Sequence, residues 1–207
     1  MRHSLPFQIF ICMEEVMVTM FRKYVFAVFV VLAGSMAHAG QQQQLTLFGA
    51  PIQGATRDQL RAVFKAHGIP AQREDDQHWV DLYDASGVLD GASQFAVGYV
   101  GATEKFAYAE YTFKSFMDAQ QVARVINLVS QKYGAPSSRS GNISLGEVDA
   151  GWNFPGGLTI HVSRGWPDTT TYLTYKDSAA YSRLKSEMNA QDKKQAQQKA
   201  AAQSQAF

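Results

Sequence analysis

The stretch Thr56-Arg57-Asp58-Gln59-Leu60-Arg61-Ala62-Val63-Phe64-Lys65-Ala66-His67-Gly68-Ile69-Pro70 spells out a helix together with both of its ends. Thr56 and Gln59 stand at the spacing of a capping box, in which hydroxyl and amide satisfy free backbone N–H groups of the first turn. Leu60, Val63, Phe64 and His67 recur at helical spacing on one face. Gly68 permits the left-handed turn that stops the helix, and Pro70 forbids its continuation. The same stop returns as Tyr133-Gly134-Ala135-Pro136, closing a second helix that starts near Phe116 and buries Ala119, Val122, Ile126, Val129 and Tyr133. A polar loop and a tryptophan-bearing strand follow each stop, which reads as an internal repeat.

Working outward, the periodicity changes from helical to two. In the first half Trp79, Asp81 and Tyr83 alternate with Val80 and Leu82, then come Phe95, Val97 and Tyr99, then Ala107, Ala109, Tyr111 and Phe113. The breaks at Gly87 to Gly91 and Gly101 to Glu104 suit hairpins. The second half offers Glu147 to Phe154 with Val148, Ala150, Trp152 and Phe154 inward, Leu158 to Ser163, and Thr170 to Tyr175. A short strand, Leu45 to Phe48, and the turn Gly49-Ala50-Pro51 precede the first helix. The expected fold is α+β, with tandem α-β-β-β repeats, about 45–113 and 114–177, forming antiparallel sheet with the helices on one face. Whether the repeats share one sheet or build two stays open. From Ser178 a helix carries Tyr181, Leu184 and Met188 at helical spacing, then becomes a Lys/Gln/Ala-rich run without an apolar face, so 178–207 is an exposed helical tail. Phe207 does not make this tail a barrel strand, because Lys199, Gln203 and Gln205 occupy positions that would face lipid.

Residues 1–39 read differently. Met20-Phe21-Arg22-Lys23 is a positive start, Tyr24 to Leu32 is an unbroken apolar run, and Ala37-His38-Ala39 supplies the small residues of a signal-peptidase site, so cleavage is expected before Gly40. The run is shorter than the roughly 18 residues of a membrane span. No cysteine at the cleavage point offers a lipid acceptor, and the mature domain is expected to be periplasmic or secreted. Glu14 and Glu15 do not suit the basic start of a leader, which favours translation from Met20. Removal of the leader takes away the single cysteine, Cys12, and with it any disulfide or thiolate metal site. It also removes Arg2, Arg22, Lys23, Glu14 and Glu15, leaving sixteen basic and sixteen acidic residues. That balance argues against a nucleic-acid partner.

Leu47-Phe48-Gly49-Ala50-Pro51-Ile52, Gly54-Ala55-Thr56-Arg57, the paired Gly-x-Pro stops and Leu173-Thr174-Tyr175 resemble a family of uncharacterised exported proteobacterial proteins. The helix-then-three-strands order is also similar in outline to the β-lactamase-inhibitor proteins and to the outer-membrane assembly lipoprotein BamE. The resemblance implies action by binding proteins. The chain lacks the inhibitors' disulfides and the lipoprotein's acylated cysteine.

The densest set of ionisable side chains is Glu74, Asp75, Asp76, His78, Asp81 and Asp84. On a strand His78 and Asp84 share one face while Asp81 points to the other with Trp79 and Tyr83, so these ligands diverge and the segment reads as a solvated loop entering a strand. His67 suits a helix end, where a cation complements the dipole. No Gly-x-Ser-x-Gly elbow is present, so no catalytic residue, metal or cofactor is assigned. Phe106 and Tyr108 share a strand face with Glu110 and Thr112, which makes them candidate exposed aromatics of a binding surface, joined by Trp166 in the turn Gly165-Trp166-Pro167-Asp168 and by His161 on the outer sheet face. Burial of Trp166 over the sheet edge is the alternative. Trp79 and Trp152 read as paired core residues. The expected function is non-catalytic binding of a protein or cell-envelope component, in one version as an inhibitor or immunity protein. The alternative is a small hydrolase or metal-dependent enzyme using His78 and Asp81. The leader reading makes a direct prediction: intact mass of the protein from an envelope fraction corresponds to residues 40–207, and a mass that includes residues before Met20 overturns it.

Overall fold

In a computed structural model, residues 44–115, 118–144 and 147–204 are described; the leader, the first residues after it, the expected start of the second helix at Phe116 and the terminal Phe207 lie outside them. Thr56 caps as expected. Its backbone N–H donates to Gln59 Oε1 at 3.0 Å, and its Oγ1 accepts from the Gln59 N–H at 3.4 Å. The helix it opens, α1, spans Arg57–Ala66 and buries Leu60 and Phe64. His67 ends it as an exposed residue whose Nδ1 lies 2.9 Å from the Val63 carbonyl. Before α1 the strands β1 (Thr46–Leu47) and β2 (Ala50–Pro51) form a small hairpin.

After α1 the chain forms β3 (Ala71–Arg73), β4 (Val80–Asp84), β5 (Ala92–Tyr99) and β6 (Phe106–Phe113). The second helix, α2 (Gln120–Tyr133), is followed by β7 (Ser138–Asn142), β8 (Glu147–Phe154), β9 (Leu158–Arg164) and β10 (Thr171–Asp177). Among the described residues these eight strands build one antiparallel sheet in the order β3-β4-β5-β6-β10-β9-β8-β7. The fold is α+β, and a single sheet answers the open question. Each half has one more strand than alternation revealed. The added strands, β3 and β7, lie at the two edges, and every residue of β7 is exposed, so neither carries an apolar period. Polar edges of this kind discourage pairing with other chains.

The sheet face under α1 and α2 holds the main core. Phe64 meets Tyr83 and Phe95 edge to face at 5.1 and 5.3 Å, and Phe95 stacks on Tyr111 at 4.3 Å. Trp152 is buried there, and its Nε1 donates to the Gly134 carbonyl at the helix stop, 2.9 Å away. A carboxylate sits among the buried polar groups of this face. Asp81 is 0 % exposed, which corrects its reading as part of a solvated loop. Arg57 Nη2 donates to its Oδ1 at 2.8 Å, and Arg61 grips both oxygens, Nε to Oδ2 at 2.8 Å and Nη2 to Oδ1 at 2.9 Å. The Asp81 hydrogen bond holds Arg61 well above its usual range. Arg57 Nη2 also donates to the Asp75 and His78 carbonyls at 2.9 and 2.5 Å, so the buried carboxylate anchors α1 to β4 and to the loop before it.

The opposite face is covered by the third helix, α3 (Ser178–Ser204). Leu184, 0 % exposed, joins Val100 and Ala107, with Trp79, Tyr108, Ala180 and Met188 packed around them. Trp79 and Trp152 therefore lie on opposite faces, and their expected pairing is corrected. Phe106 and Tyr108 are also parted. Gly98 pairs with Tyr108 and Tyr99 with Phe106, so Ala107 is an extra residue, a bulge that turns Phe106 inward. Phe106 is 1 % exposed in the main core, while Tyr108 is half-buried under α3, its ring edge-to-face with Tyr181 at 5.5 Å. Burial pushes the Tyr108 phenol up to about 12. Gly98 makes this seat possible, since a Cβ there would stand 2.1 Å from the Tyr108 ring. Beyond Met188 the described part of α3 is exposed and projects from the sheet, as expected for the tail.

Two measurements check these seats. Asp81→Ala leaves two guanidiniums without their carboxylate, one of them buried, and is expected to cost about 3–5 kcal/mol in urea unfolding; a loss below about 1 kcal/mol contradicts the anchoring role. Leu184→Ala is expected to cost about 2–5 kcal/mol of docking, seen by hydrogen exchange as lost protection in α3 with α1 unchanged.

Candidate ligand-binding cleft

On the core face a half-enclosed cleft of about 260 Å³ lies between α2 and the β1–β2 hairpin. Its floor is made by the central strands, with Tyr111 from β6 and Leu173 and Tyr175 from β10. One wall is the last half of α2, presenting Leu128, Val129, Lys132 and Tyr133. The other is the β1–β2 hairpin with Leu47 and Phe48, together with Val88 and Leu89 from the turn between β4 and β5. Phe48 holds a left-handed φ of 50° ahead of Gly49, the geometry of a primed two-residue hairpin turn. That conformation is uncommon for a bulky side chain. It sets the ring against Phe64 at 5.6 Å while leaving it on the cleft wall.

The lining is mostly apolar, and Leu128 at its rim is 46 % exposed, one of two large hydrophobics so exposed among the described residues. Its polar residues are Thr46 on the hairpin, Tyr111 and Tyr175 on the floor, and Lys132 and Tyr133 on α2. The Tyr133 hydroxyl is buried without a hydrogen-bond partner, and the Lys132 Nζ lies 5.0 Å from the Tyr133 ring centre. Burial raises the phenols of Tyr111 and Tyr175, with smaller contributions from Tyr175 on the first and Tyr133 on the second, so the three hydroxyls are electrostatic neighbours. Among the described residues no acidic side chain lines the cleft.

The residues chosen from sequence fall elsewhere and are not brought together. Phe106 is in the core and Tyr108 is under α3. Trp166 is in the turn between β9 and β10 and is 72 % exposed, so it does not fold over the sheet edge. His161 is on the outer face of β9 as expected, its Nδ1 3.8 Å from Asp149 Oδ1, beside Gly151 on the neighbouring strand. In the acidic segment His78 Nδ1 pairs with Asp75 Oδ1 at 2.7 Å on the surface, and this hydrogen bond lowers the Asp75 carboxyl. Glu74 accepts from the Tyr83 hydroxyl at 2.7 Å. Asp81 is turned away and fully engaged by the arginines, so His78 and Asp81 share no site. The cleft residues left a faint signal. Leu128 stands beside the buried stripe of α2 and widens its apolar face, and Val88-Leu89 is an apolar pair inside a glycine-flanked turn.

No family model matches the chain, and no curated protein does. A solved structure that matches is a DUF4309 family protein (YjgB) from Bacillus subtilis subsp. subtilis str. 168, at 16% identity and a TM-score of 0.39, covering 66% of this chain and 88% of that one. Among the described residues no helix is long and apolar enough to cross a membrane.

An unpartnered buried hydroxyl stabilises nothing in the free protein. Tyr133→Phe is therefore expected to leave the urea midpoint unchanged or slightly raised; destabilisation beyond about 1 kcal/mol shows that the hydroxyl is bonded in the free protein.

Proposed function

We propose that the protein is a non-catalytic binding protein of the bacterial cell envelope, periplasmic or secreted after cleavage before Gly40, and that the cleft between α2 and the β1–β2 hairpin receives the apolar part of its partner. The observation that carries this reading is the cleft itself, a preformed concavity over the middle of the sheet with a mostly apolar lining, a few polar groups and an exposed leucine at its rim. Ligand sites have this composition, mostly apolar with a few placed polar groups. The aromatic sheet face first expected to bind is occupied by α3, which supports a binding surface on the opposite face.

The hydrolase or metal-dependent alternative needs Asp81 free to work with His78. Two arginines hold that carboxylate in the core, which favours the binding reading.

Titration of the isotope-labelled protein with n-butylbenzene is expected to give saturable shifts confined to residues around the cleft. Leu128→Asp should weaken that binding at least about fivefold while changing stability by no more than about 0.5 kcal/mol, as for a surface substitution. Absence of saturable shifts overturns the assignment of the cleft.

A further inference from the structure

We propose that the outer half of α3 is a cationic arm that adsorbs to the headgroups of an anionic lipid bilayer, and that it does so without inserting. The inference is independent of the cleft, which lies on the opposite face of the sheet. It starts from a separation of charge. Residues 178–204 carry five basic side chains, Arg183, Lys185, Lys193, Lys194 and Lys199, against two acidic ones, Glu187 and Asp192. Residues 40–177 carry eleven basic against fourteen acidic. A mature chain with balanced charges is thus an acidic body joined to a basic helix.

The structure makes that separation effective. The contacts that seat α3 on the sheet reach from Ala180 to Met188, and every residue from Asn189 to Ser204 is exposed. At about 1.5 Å per residue this outer half extends roughly 24 Å. That is two to three times the Debye length of ~8–10 Å at physiological ionic strength, so the acidic body does not cancel the field at the far end. All five cations are exposed, and among the described residues none of them makes an ion pair. The acids of α3 do not neutralise its lysines. Asp192 has no basic residue three or four positions away, and Glu187 accepts from the Gly101 N–H.

Composition selects the partner. From Asn189 to Ser204 there is no aromatic or large apolar side chain. The arm therefore lacks both the anchor residues of protein interfaces and the apolar stripe by which an amphipathic helix enters a bilayer. With about 3.6 residues per turn, Lys193, Lys194 and Lys199 lie on different sides of the helix, so positive charge surrounds the arm and forms no single stripe. A localised acidic site on a protein is best met by a stripe. A bilayer of anionic lipid presents a continuous negative plane, which this arm meets in any rotation about its axis, and each lysine near such a plane strengthens partitioning about fivefold.

The test is vesicle flotation of residues 40–207, which contain the whole described fold and omit the apolar leader. Vesicles of phosphatidylcholine alone are compared with vesicles of equal parts phosphatidylcholine and phosphatidylglycerol, and soluble polyglutamate serves as the acidic-polypeptide probe. The protein is expected to float with the anionic vesicles at about 0.05 M salt and to be released at about 1 M, where the Debye length falls to ~3 Å. The triple variant Lys193→Gln, Lys194→Gln, Lys199→Gln should partition at least about tenfold more weakly, with an unchanged urea midpoint because all three side chains are exposed. Absence of binding to the anionic vesicles at low salt overturns the proposal. So does equal binding to phosphatidylcholine alone, which removes the electrostatic basis, and so does wild-type binding by the triple variant, which removes the arm. Binding to polyglutamate but not to anionic vesicles overturns the lipid assignment in favour of an acidic protein.

Discussion

The antiparallel pairing of β6 with β10 joins what would otherwise be two four-stranded sheets. The register runs from Phe113 opposite Thr171 to Tyr108 opposite Lys176. It makes Tyr111 and Leu173, and likewise Ala109 and Tyr175, cross-strand neighbours on the helical face. Three of these residues, Tyr111, Leu173 and Tyr175, form the floor of the cleft. On the other face the same pairing sets Thr174 Oγ1 to donate to Glu110 at 2.9 Å and brings Lys176 near the seat of α3, where its Nζ lies 4.6 Å from the Tyr181 ring centre. A shift of this register by one residue would exchange the two faces along the joint and lose both features.

Around that joint the molecule uses two unlike kinds of attachment. Asp81 with Arg57 and Arg61 is a buried ionic anchor, whose net stabilisation is modest but whose disruption is costly because the partners left behind are charged and withdrawn from water. The α3 seat is mainly apolar, centred on Leu184, with the Gly101 N–H donating to Glu187 at 2.7 Å as its polar contact. The first fixes the start of α1 and the loop before β4, while the second attaches a helix whose described far portion is exposed. The cleft lies on the opposite face from α3, so its walls do not depend on that attachment.

Much of this architecture was legible. The capping box, the two glycine-proline stops, the inner strands and the start of the terminal helix were read from local chemistry, and local chemistry also decides them in the folded chain. Strands β3 and β7 were not legible, since an edge strand with both faces wet needs no alternation. The exposure of Phe106 and Tyr108 was misread because the bulge at Ala107 resets the period in mid-strand. The placement of Trp79 was misread because it lies just before β4, where strand alternation does not bind it. Asp81 was assigned the correct face, but a buried carboxylate looks like a surface one until its two arginines, a helix away, are placed beside it.

Local residue order therefore carries the elements, their ends and the inward face of most strands, because caps, turns and periodicity act over a few residues. It also carries the α+β class. The joining of two halves through β6 and β10, the burial of Asp81 and the covering of the aromatic face by α3 depend on residues tens of positions apart. The cleft depends on the first of these, since it is the space left where a helix, a hairpin and a turn meet over one sheet. No short stretch of chain contains that space, because a concavity is a property of how surfaces fail to fill one another.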